Sequence, residues 1–220
     1  IPEYAYISQD KTWGGHYMIQ GEELQVELFQ TQTDNVKEKI VKDLANFLTV
    51  IHKTPKEVVQ EMGISTRGDY SWSPSHVREI YEGVKSKLYP ILRTEEISWI
   101  DYRFNHYFSL RSEINQALVH SDLNGDHIFF GEKQGEISGI IDFANVYYAD
   151  SAIDFSRLLD YGEDFMRKVI DQYQGFKDED LVQRAKFRRL IGAVGNMLRI
   201  IHGEQMPTTF EDQRHRLNKR

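Results

Sequence analysis

The 220-residue sequence contains no cysteine, which excludes a disulfide framework and any metal site built on thiolates. It also lacks an apolar run of the roughly 18 residues that a membrane-spanning helix needs. No basic segment followed by an apolar one opens the chain, as a signal peptide would. We therefore expect a cytoplasmic protein that does not bind to a membrane.

Positive charge is scarce relative to negative charge, because 27 Lys and Arg residues stand against 34 Asp and Glu, giving a formal net charge of −7. This balance argues against a nucleic-acid partner and permits a cationic one. An initiator methionine is also lacking, and strand-like alternation begins almost at once in IPEYAYISQD. We interpret this opening as the inside of a sheet whose earlier strands are missing from the sequence.

Apolar periodicity predicts a mostly helical chain with a small sheet at its start and a hairpin-like unit in its middle. Strands are predicted at residues 1–7 and 16–19. Asp34 is expected to cap the first helix, and Thr54 and Glu57 are expected to form a capping box at the second. The predicted helices cover residues 34–52, 55–62, 74 onward, 95–108, 152–161, 164–173 and 178–202.

Two short stretches carry the candidate chemistry: LVHSDLNGDHIFF at residues 118–130 and IIDF at residues 140–143. Each places polar side chains next to a short apolar run, and such strand-end residues are held stiffly and face solvent. Asp122, His127 and Asp142 suit phosphoryl transfer, in which a carboxylate orients the attacking hydroxyl and two ligands hold Mg²⁺. With His120 added, the same residues suit a metal hydrolase. Turn and cap roles are the third alternative.

The segment HSDLNGDHIFF, followed by SGIIDFANVYYADSAIDFSRLL, resembles the catalytic segment of the aminoglycoside phosphotransferases and related small-molecule kinases. Their pattern is H-G-D-L-x-x-x-N, a hairpin, I-D-[FW], and then G-D-P-x-x-D-[LF]. The resemblance implies an α+β, protein-kinase-like fold, with a large helical lobe, hinge strands and a small catalytic β-hairpin. Residues 1–24 would be the end of a small lobe and the hinge. Residues 25–220 would be the C-terminal lobe with the catalytic loop and substrate site.

The resemblance also implies a role for each matched residue. Asp122 would be the catalytic base, while His127 and Asp142 would hold Mg²⁺ against the phosphates of ATP or GTP. The base of the nucleotide would meet the hinge at Met18, Ile19 and Gln20, above Ile141. His120 and Asp154 would support the catalytic loop rather than touch substrate.

The acceptor must be inferred from the acidic segment LLDYGEDF, because the catalytic motif does not name it. We expect Asp160, Glu163 and Asp164 to bind a cationic, aminoglycoside-type acceptor. The alternative is that these acids only stabilise the start of a helix, where carboxylates are favoured in any case.

Three residues depart from the family pattern. Ser121 replaces a glycine, Ser151 replaces a proline and His127 replaces the usual asparagine. The histidine makes the chain similar to the 2''-aminoglycoside and macrolide phosphotransferases. The phosphate-clamping lysine and nucleotide loop of the family are missing before the hinge. We therefore expect a missing N-terminal lobe and, for the 220-residue chain alone, an incomplete enzyme. A macrolide kinase, another small-molecule kinase and an inactive kinase-like binding module remain alternatives.

Overall fold

The computed structural model describes residues 4–10, 12–66, 74–110, 114 and 116–218. The chain divides into two compact units, each built from two separate stretches. Unit 1 contains residues 1–66 and 117–176, and unit 2 contains residues 67–116 and 177–220. Within the described ranges, no helix is both long enough and apolar enough to span a membrane. The predicted boundary at residue 24 stays a prediction.

Among the residues that the structure describes, the strands pair in three small sheets. They are β1 (Tyr4–Ile7), β2 (Gly14–His16), β3 (Glu22–Glu23), β4 (Gln116–Val119), β5 (Ile128–Gly131), β6 (Glu136–Ile140) and β7 (Tyr147–Asp150). Strand β5 lies between β3 and β6, and β4 pairs with β7. Strands β5 and β6 form an antiparallel hairpin in which Ile128 lies opposite Ile140. The hairpin thereby brings the residues that precede β5 close to those that follow β6.

Helices make up most of the described residues. In chain order they are α1 (Val26–Thr31), α2 (Asp34–His52), α3 (Lys56–Glu61), α4 (Pro74–Lys87), α5 (Thr94–Ser109), α6 (Ala152–Leu158), α7 (Glu163–Gln172), α8 (Leu181–Ile201) and α9 (Phe210–Asn218). Unit 1 contains α1 to α3, α6 and α7, whereas unit 2 contains α4, α5, α8 and α9. Three-residue 3-10 turns start at Tyr89, Gly125 and Phe143.

Helix α2 forms where the sequence predicts it, because its apolar residues recur on one face. Ile40, Leu44 and Leu48 on that face are fully buried. The helix packs against α7 and β6 within unit 1. The predicted cap was wrong by one residue: Thr33 accepts the hydrogen bond from the N–H of Val36, and Asp34 is the first helical residue.

Other predicted boundaries also need correction. Pro55 is the N-cap of α3 and its side chain has no group that could accept a bond, so the capping box of Thr54 and Glu57 is wrong. Strand β2 ends at His16, and residues 17–20 are not in a strand. The helix predicted over residues 152–161 ends at Leu158. The helix predicted from residue 178 begins at Leu181, because the carboxylate of Asp178 accepts the N–H of Asp180 in a turn. The sequence did not predict α1, β7 or α9.

An aromatic cluster forms the core of unit 2. The ring of Phe104 stacks on Tyr81 with 4.3 Å between centroids and meets the ring of Phe187 edge-on at 5.1 Å. These rings tie α4, α5 and α8 together. A buried carboxylate, Glu96 of α5, accepts two hydrogen bonds from the guanidinium of Arg214, which fixes α9 to α5.

Phe104→Ala should lower the free energy of unfolding by about 3–5 kcal/mol, since it removes a fully buried ring and leaves a cavity between three helices. Phe176→Ala is the matched control, because the ring of Phe176 is 51% exposed. Urea unfolding of both variants measures the difference. Equal losses for the two would contradict the assignment of this cluster as a core.

Candidate functional site

The loop between β4 and β5, residues 120–127, is the centre of the candidate site. It is held close to its neighbours, because a Cβ on Gly125 would lie 2.6 Å from the carbonyl oxygen of Leu24 and 3.1 Å from the hydroxyl of Tyr161. Tyr161 also donates a hydrogen bond to that Leu24 carbonyl. Only glycine therefore allows the loop to approach the end of the hinge this closely.

One buried carboxylate holds the start of the loop. Oδ2 of Asp154 in α6 accepts the backbone N–H of His120 at 2.9 Å, and its Oδ1 accepts that of Ser121 at 2.7 Å. Ser121 has a φ of 68°, in the left-handed region that non-glycine residues rarely adopt. The carboxylate thus stabilises an unfavourable backbone conformation next to Asp122.

Two residues that sequence reasoning missed support Asp154 from behind. His52, at the end of α2, lies with Nε2 3.0 Å from Oδ2 of Asp154 and Nδ1 3.0 Å from the hydroxyl of Tyr173. Because the carboxylate of Asp154 only accepts hydrogen bonds, Nε2 of His52 must carry a hydrogen. In the neutral ring, Nδ1 then accepts the hydrogen bond from the hydroxyl of Tyr173. Burial and the charge of Asp154 raise the pKa of Tyr173. His52 and Tyr173 are far from Asp154 in the sequence, so no local sequence pattern indicated this contact.

His120 has both ring nitrogens engaged by the backbone. Its Nε2 donates to the carbonyl of Ile141 at 2.9 Å, and its Nδ1 accepts the N–H of Asp122 at 3.3 Å. The residue is fully buried. These bonds link the loop to the end of β6 and leave no lone pair on the ring for a metal, which argues against the hydrolase alternative.

The two carboxylate oxygens of Asp122 have different surroundings. Oδ1 accepts a hydrogen bond from Nδ2 of Asn124 at 2.5 Å and lies 3.4 Å from the guanidinium of Arg157. Oδ2 lies 3.9 Å from Nδ1 of His127, which is too far for a hydrogen bond. Within the described residues, Oδ2 therefore keeps its lone pairs for a donor from outside the protein.

His127 and Asp142 meet across the hairpin. Nδ1 of His127 donates to the carbonyl of Asp122 at 2.7 Å, and Nε2 lies 3.4 Å from Oδ2 of Asp142. Burial acts to lower the pKa of His127, but the Asp122 carbonyl and the carboxylates of Asp126, Asp122 and Asp142 outweigh it and raise the pKa. Asp142 has a φ of 61°, so both non-glycine residues with positive φ in the described part of the chain, Ser121 and Asp142, lie at this site.

This pair has the donor chemistry that a hard divalent cation can use. The Asp122 carbonyl fixes the hydrogen of the neutral His127 ring on Nδ1, so Nε2 faces Asp142 with a lone pair. Among the described residues, no group of three or more His, Cys, Asp or Glu side chains is arranged to hold a metal ion. Mg²⁺ commonly binds through one or two side chains, with water and phosphate oxygens completing its octahedron. The two residues fit that role.

The hinge residues lie over the hairpin. A Cβ on Gly139 would lie 2.7 Å from the Ile19 side chain, so the missing side chain at Gly139 lets Ile19 rest on β6. Gly139 precedes Ile141 by two residues, the spacing of one strand face. Ser138 donates to the carbonyl of Gln20 at 2.5 Å. Met18 is 79% exposed and Ile19 is half-buried.

The acidic segment after α6 returns to the loop through Tyr161. Burial raises the pKa of Tyr161, and the charges of Asp160 and Asp126 raise it further. Glu163, in the first turn of α7, forms an ion pair of 2.7 Å with Arg167. Asp164 is exposed. The charge of Glu163 is therefore compensated in part by Arg167.

Comparison with known proteins agrees with this arrangement. A sequence model of the phosphotransferase enzyme family matches residues 13–188. The fold matches the GDP complex of wild-type aminoglycoside 2'-phosphotransferase-IIIa with a TM-score of 0.82 at 22% identity, covering 99% of this chain and 74% of that one. The GDP and kanamycin complex of APH(2")-IIia gives 0.80 at 22% identity, covering 99% and 74%.

A macrolide 2'-phosphotransferase, MphH from Brachybacterium faecium, is similar in its apoenzyme structure. Its TM-score is 0.65 at 16% identity, and the match covers 99% of this chain and 73% of that one. At these identities the likenesses establish the fold and not the acceptor. The predicted fold, in which helices and small sheets form a kinase-like architecture, is confirmed.

Asp154→Asn should lower the free energy of unfolding by about 2–4 kcal/mol, because an amide cannot accept from all three donors that the carboxylate serves. Tyr173→Phe should cost only about 1 kcal/mol, since it removes one hydrogen bond to His52. Amide hydrogen exchange at His120 and Ser121 should accelerate most in Asp154→Asn. Tyr102→Phe, at a tyrosine that is 57% exposed, is the control. Unchanged exchange at both amides in Asp154→Asn would contradict the proposed clamp.

Proposed function

Because the chain belongs to the phosphotransferase enzyme family, we propose that it is a small-molecule kinase that phosphorylates a hydroxyl of an aminoglycoside-type acceptor. The donor is ATP or GTP. The observation that carries the proposal is the arrangement of Asp122, with one carboxylate oxygen open, beside the pair of His127 and Asp142. A similar fold is known in complex with GDP and kanamycin, which supports a nucleotide donor and an aminoglycoside acceptor.

Asp122 acts on the acceptor. Its Oδ2 accepts a hydrogen bond from the acceptor hydroxyl and takes the proton as the hydroxyl oxygen bonds to the γ-phosphorus. The bond between that phosphorus and the β–γ bridging oxygen breaks, and nucleoside diphosphate leaves. Asn124 and Arg157 hold Oδ1, so the carboxylate presents Oδ2 without rotating away. This fixed orientation is the main contribution that a side chain makes in phosphoryl transfer.

His127 and Asp142 are the proposed ligands of Mg²⁺. Mg²⁺ neutralises negative charge on the phosphate oxygens when it is bound. His127 must lose a proton to serve as a ligand, and its raised pKa means that acidic pH opposes this. Asp142 is held by its left-handed backbone and by the N–H of Ala144, which donates to Oδ1. Its Oδ2 faces His127 and would, together with Nε2 of His127, hold the ion.

The nucleotide base is proposed to bind at the hinge, against the backbone of Met18 to Gln20 and over Ile19 and Ile141. The close contact of Ile19 with Gly139 supports this, because it sets an apolar side chain of the hinge against β6, two residues before Ile141. A lysine and a phosphate loop before the hinge, in an N-terminal lobe of the same protein, stay a prediction. The activity tests below therefore use the full-length protein.

The acceptor is proposed to bind through its ammonium groups to Asp160, Glu163 and Asp164. Support comes from Tyr161, which follows Asp160 in the chain and donates a hydrogen bond to the carbonyl of Leu24, so this segment lies beside Gly125 of the loop. A macrolide kinase is the second candidate, favoured by the similar fold of the macrolide enzyme. A macrolide with one amine gains less from several carboxylates than a polycation does, so the acids discriminate between the two.

Asp122→Asn should reduce kcat by about 10²–10⁴, because the amide cannot take the proton of the hydroxyl. Affinity for the nucleotide should not change, since Asp122 acts on the acceptor. Phosphoryl transfer from labelled ATP and GTP to aminoglycosides and macrolides measures the effect. Asp34→Asn, which neutralises an exposed carboxylate in α2, is the control. If Asp122→Asn keeps the wild-type kcat, Asp122 is not the catalytic base.

Neutralising Asp160, Glu163 or Asp164 one at a time should raise the KM for aminoglycosides several-fold and weaken its dependence on salt. The ion pair with Arg167 should moderate the effect at Glu163. The kcat should change little. Glu57→Gln, at an exposed carboxylate in α3, is the control. Unchanged kinetics in all three variants would assign the acids to helix stabilisation and would favour the macrolide alternative.

A further inference from the structure

Arg157 is the second charged residue that α6 directs at the catalytic loop. It follows Asp154 by three residues, so the two side chains leave the same side of the helix. Nε of Arg157 donates to the carbonyl of Ser121 at 3.3 Å, and its Nη2 lies 3.4 Å from Oδ1 of Asp122. Helix α6 thus holds the loop through the carboxylate of Asp154 and the guanidinium of Arg157.

These contacts satisfy every polar group of Ser121. Its N–H donates to Asp154, its carbonyl accepts from Arg157, and its hydroxyl donates to the carbonyl of Asn145 at 2.7 Å. The residue has a φ of 68°, and such a conformation persists only where its surroundings hold it on several sides. Arg157 is the part of this arrangement that also touches the carboxylate of the proposed base.

The contacts with the loop do not engage every N–H group of the Arg157 guanidinium. Its side chain is 38% exposed, and within the described residues its Nη1 has no hydrogen-bond partner. A guanidinium always carries its charge and offers five donors in a fixed plane. An acceptor whose hydroxyl lies at Oδ2 of Asp122 therefore meets a cation with open N–H groups a few ångströms away.

We infer that Arg157 is a positioning and specificity-determining residue for the acceptor, an inference that rests on the proposed function. It orients Asp122, and its open N–H groups favour an acceptor with an oxygen next to the reacting hydroxyl. An ammonium group at that neighbouring carbon is repelled by the guanidinium. The ammonium groups of a cationic acceptor must therefore lie farther from the reacting hydroxyl.

The test compares Arg157→Gln and Arg157→Lys with the wild type in the full-length protein. Two acceptors are used that differ only at the carbon next to the phosphorylated hydroxyl, one with a hydroxyl and one with an amine there. Arg157→Gln should lower kcat at least tenfold for the hydroxyl acceptor with an unchanged KM for the nucleotide. The ratio of kcat/KM should shift at least threefold toward the amine acceptor. Arg157→Lys should keep the wild-type ratio. In Arg157→Gln, added guanidinium ion should restore part of the lost kcat.

A second measurement separates positioning from chemistry. Amide hydrogen exchange at residues 121–124 should accelerate in Arg157→Gln, while exchange in the core of α8 stays unchanged. Arg199→Gln, which breaks an exposed ion pair with Glu204, is the matched control and should change none of these values. A wild-type protein that phosphorylates no acceptor would overturn the proposed function together with this inference. An active wild type whose Arg157→Gln variant keeps both kcat and the acceptor ratio would overturn this inference alone.

Discussion

The buried carboxylate of Asp154 is the contact on which the candidate site depends. It accepts two backbone N–H groups from the loop and one ring N–H from His52. Such a carboxylate is costly to bury unless each lone pair finds a donor, and here the donors come from the loop and from α2. The loop therefore cannot leave its position without exposing a charge to an apolar core. That constraint explains how Ser121 keeps a left-handed backbone beside the proposed base.

The sequence predicts those parts of the fold that repeat along the chain. Helix α2 was predicted correctly because four turns of apolar residues define its buried face, and the β5–β6 hairpin because two short apolar runs flank a turn. The ends of the helices were less predictable. Thr33 rather than Asp34 caps α2, since adjacent polar residues compete for the same role. Helix α6 stops at Leu158, three residues before the predicted end. Contacts that decide such ends come from outside the local sequence.

The same limit applies to the candidate site. The residues named from the motif, Asp122, His127 and Asp142, lie close together because the β5–β6 hairpin brings Asp142 to His127 and the loop after β4 brings Asp122 to His127. His52 and Tyr173 could not be found in this way, as they approach Asp154 from helices far away in the chain. Arg157 was within the quoted segment but was not recognised, because only the structure shows that its side chain turns toward Asp122.

The charges around the loop are not symmetric, and under the proposed function this asymmetry would restrict how an acceptor binds. Near Gly125, burial raises the pKa of Tyr161, and the negative charges of Asp160 and Asp126 add to this effect. Near Ser121, the exposed guanidinium of Arg157 is positive. A polycation lowers its energy by placing ammonium groups toward the first region and neutral oxygens toward the second. Acidic residues alone would attract such a molecule in many orientations, whereas a guanidinium beside Oδ1 of Asp122 would favour those that present a hydroxyl to Oδ2.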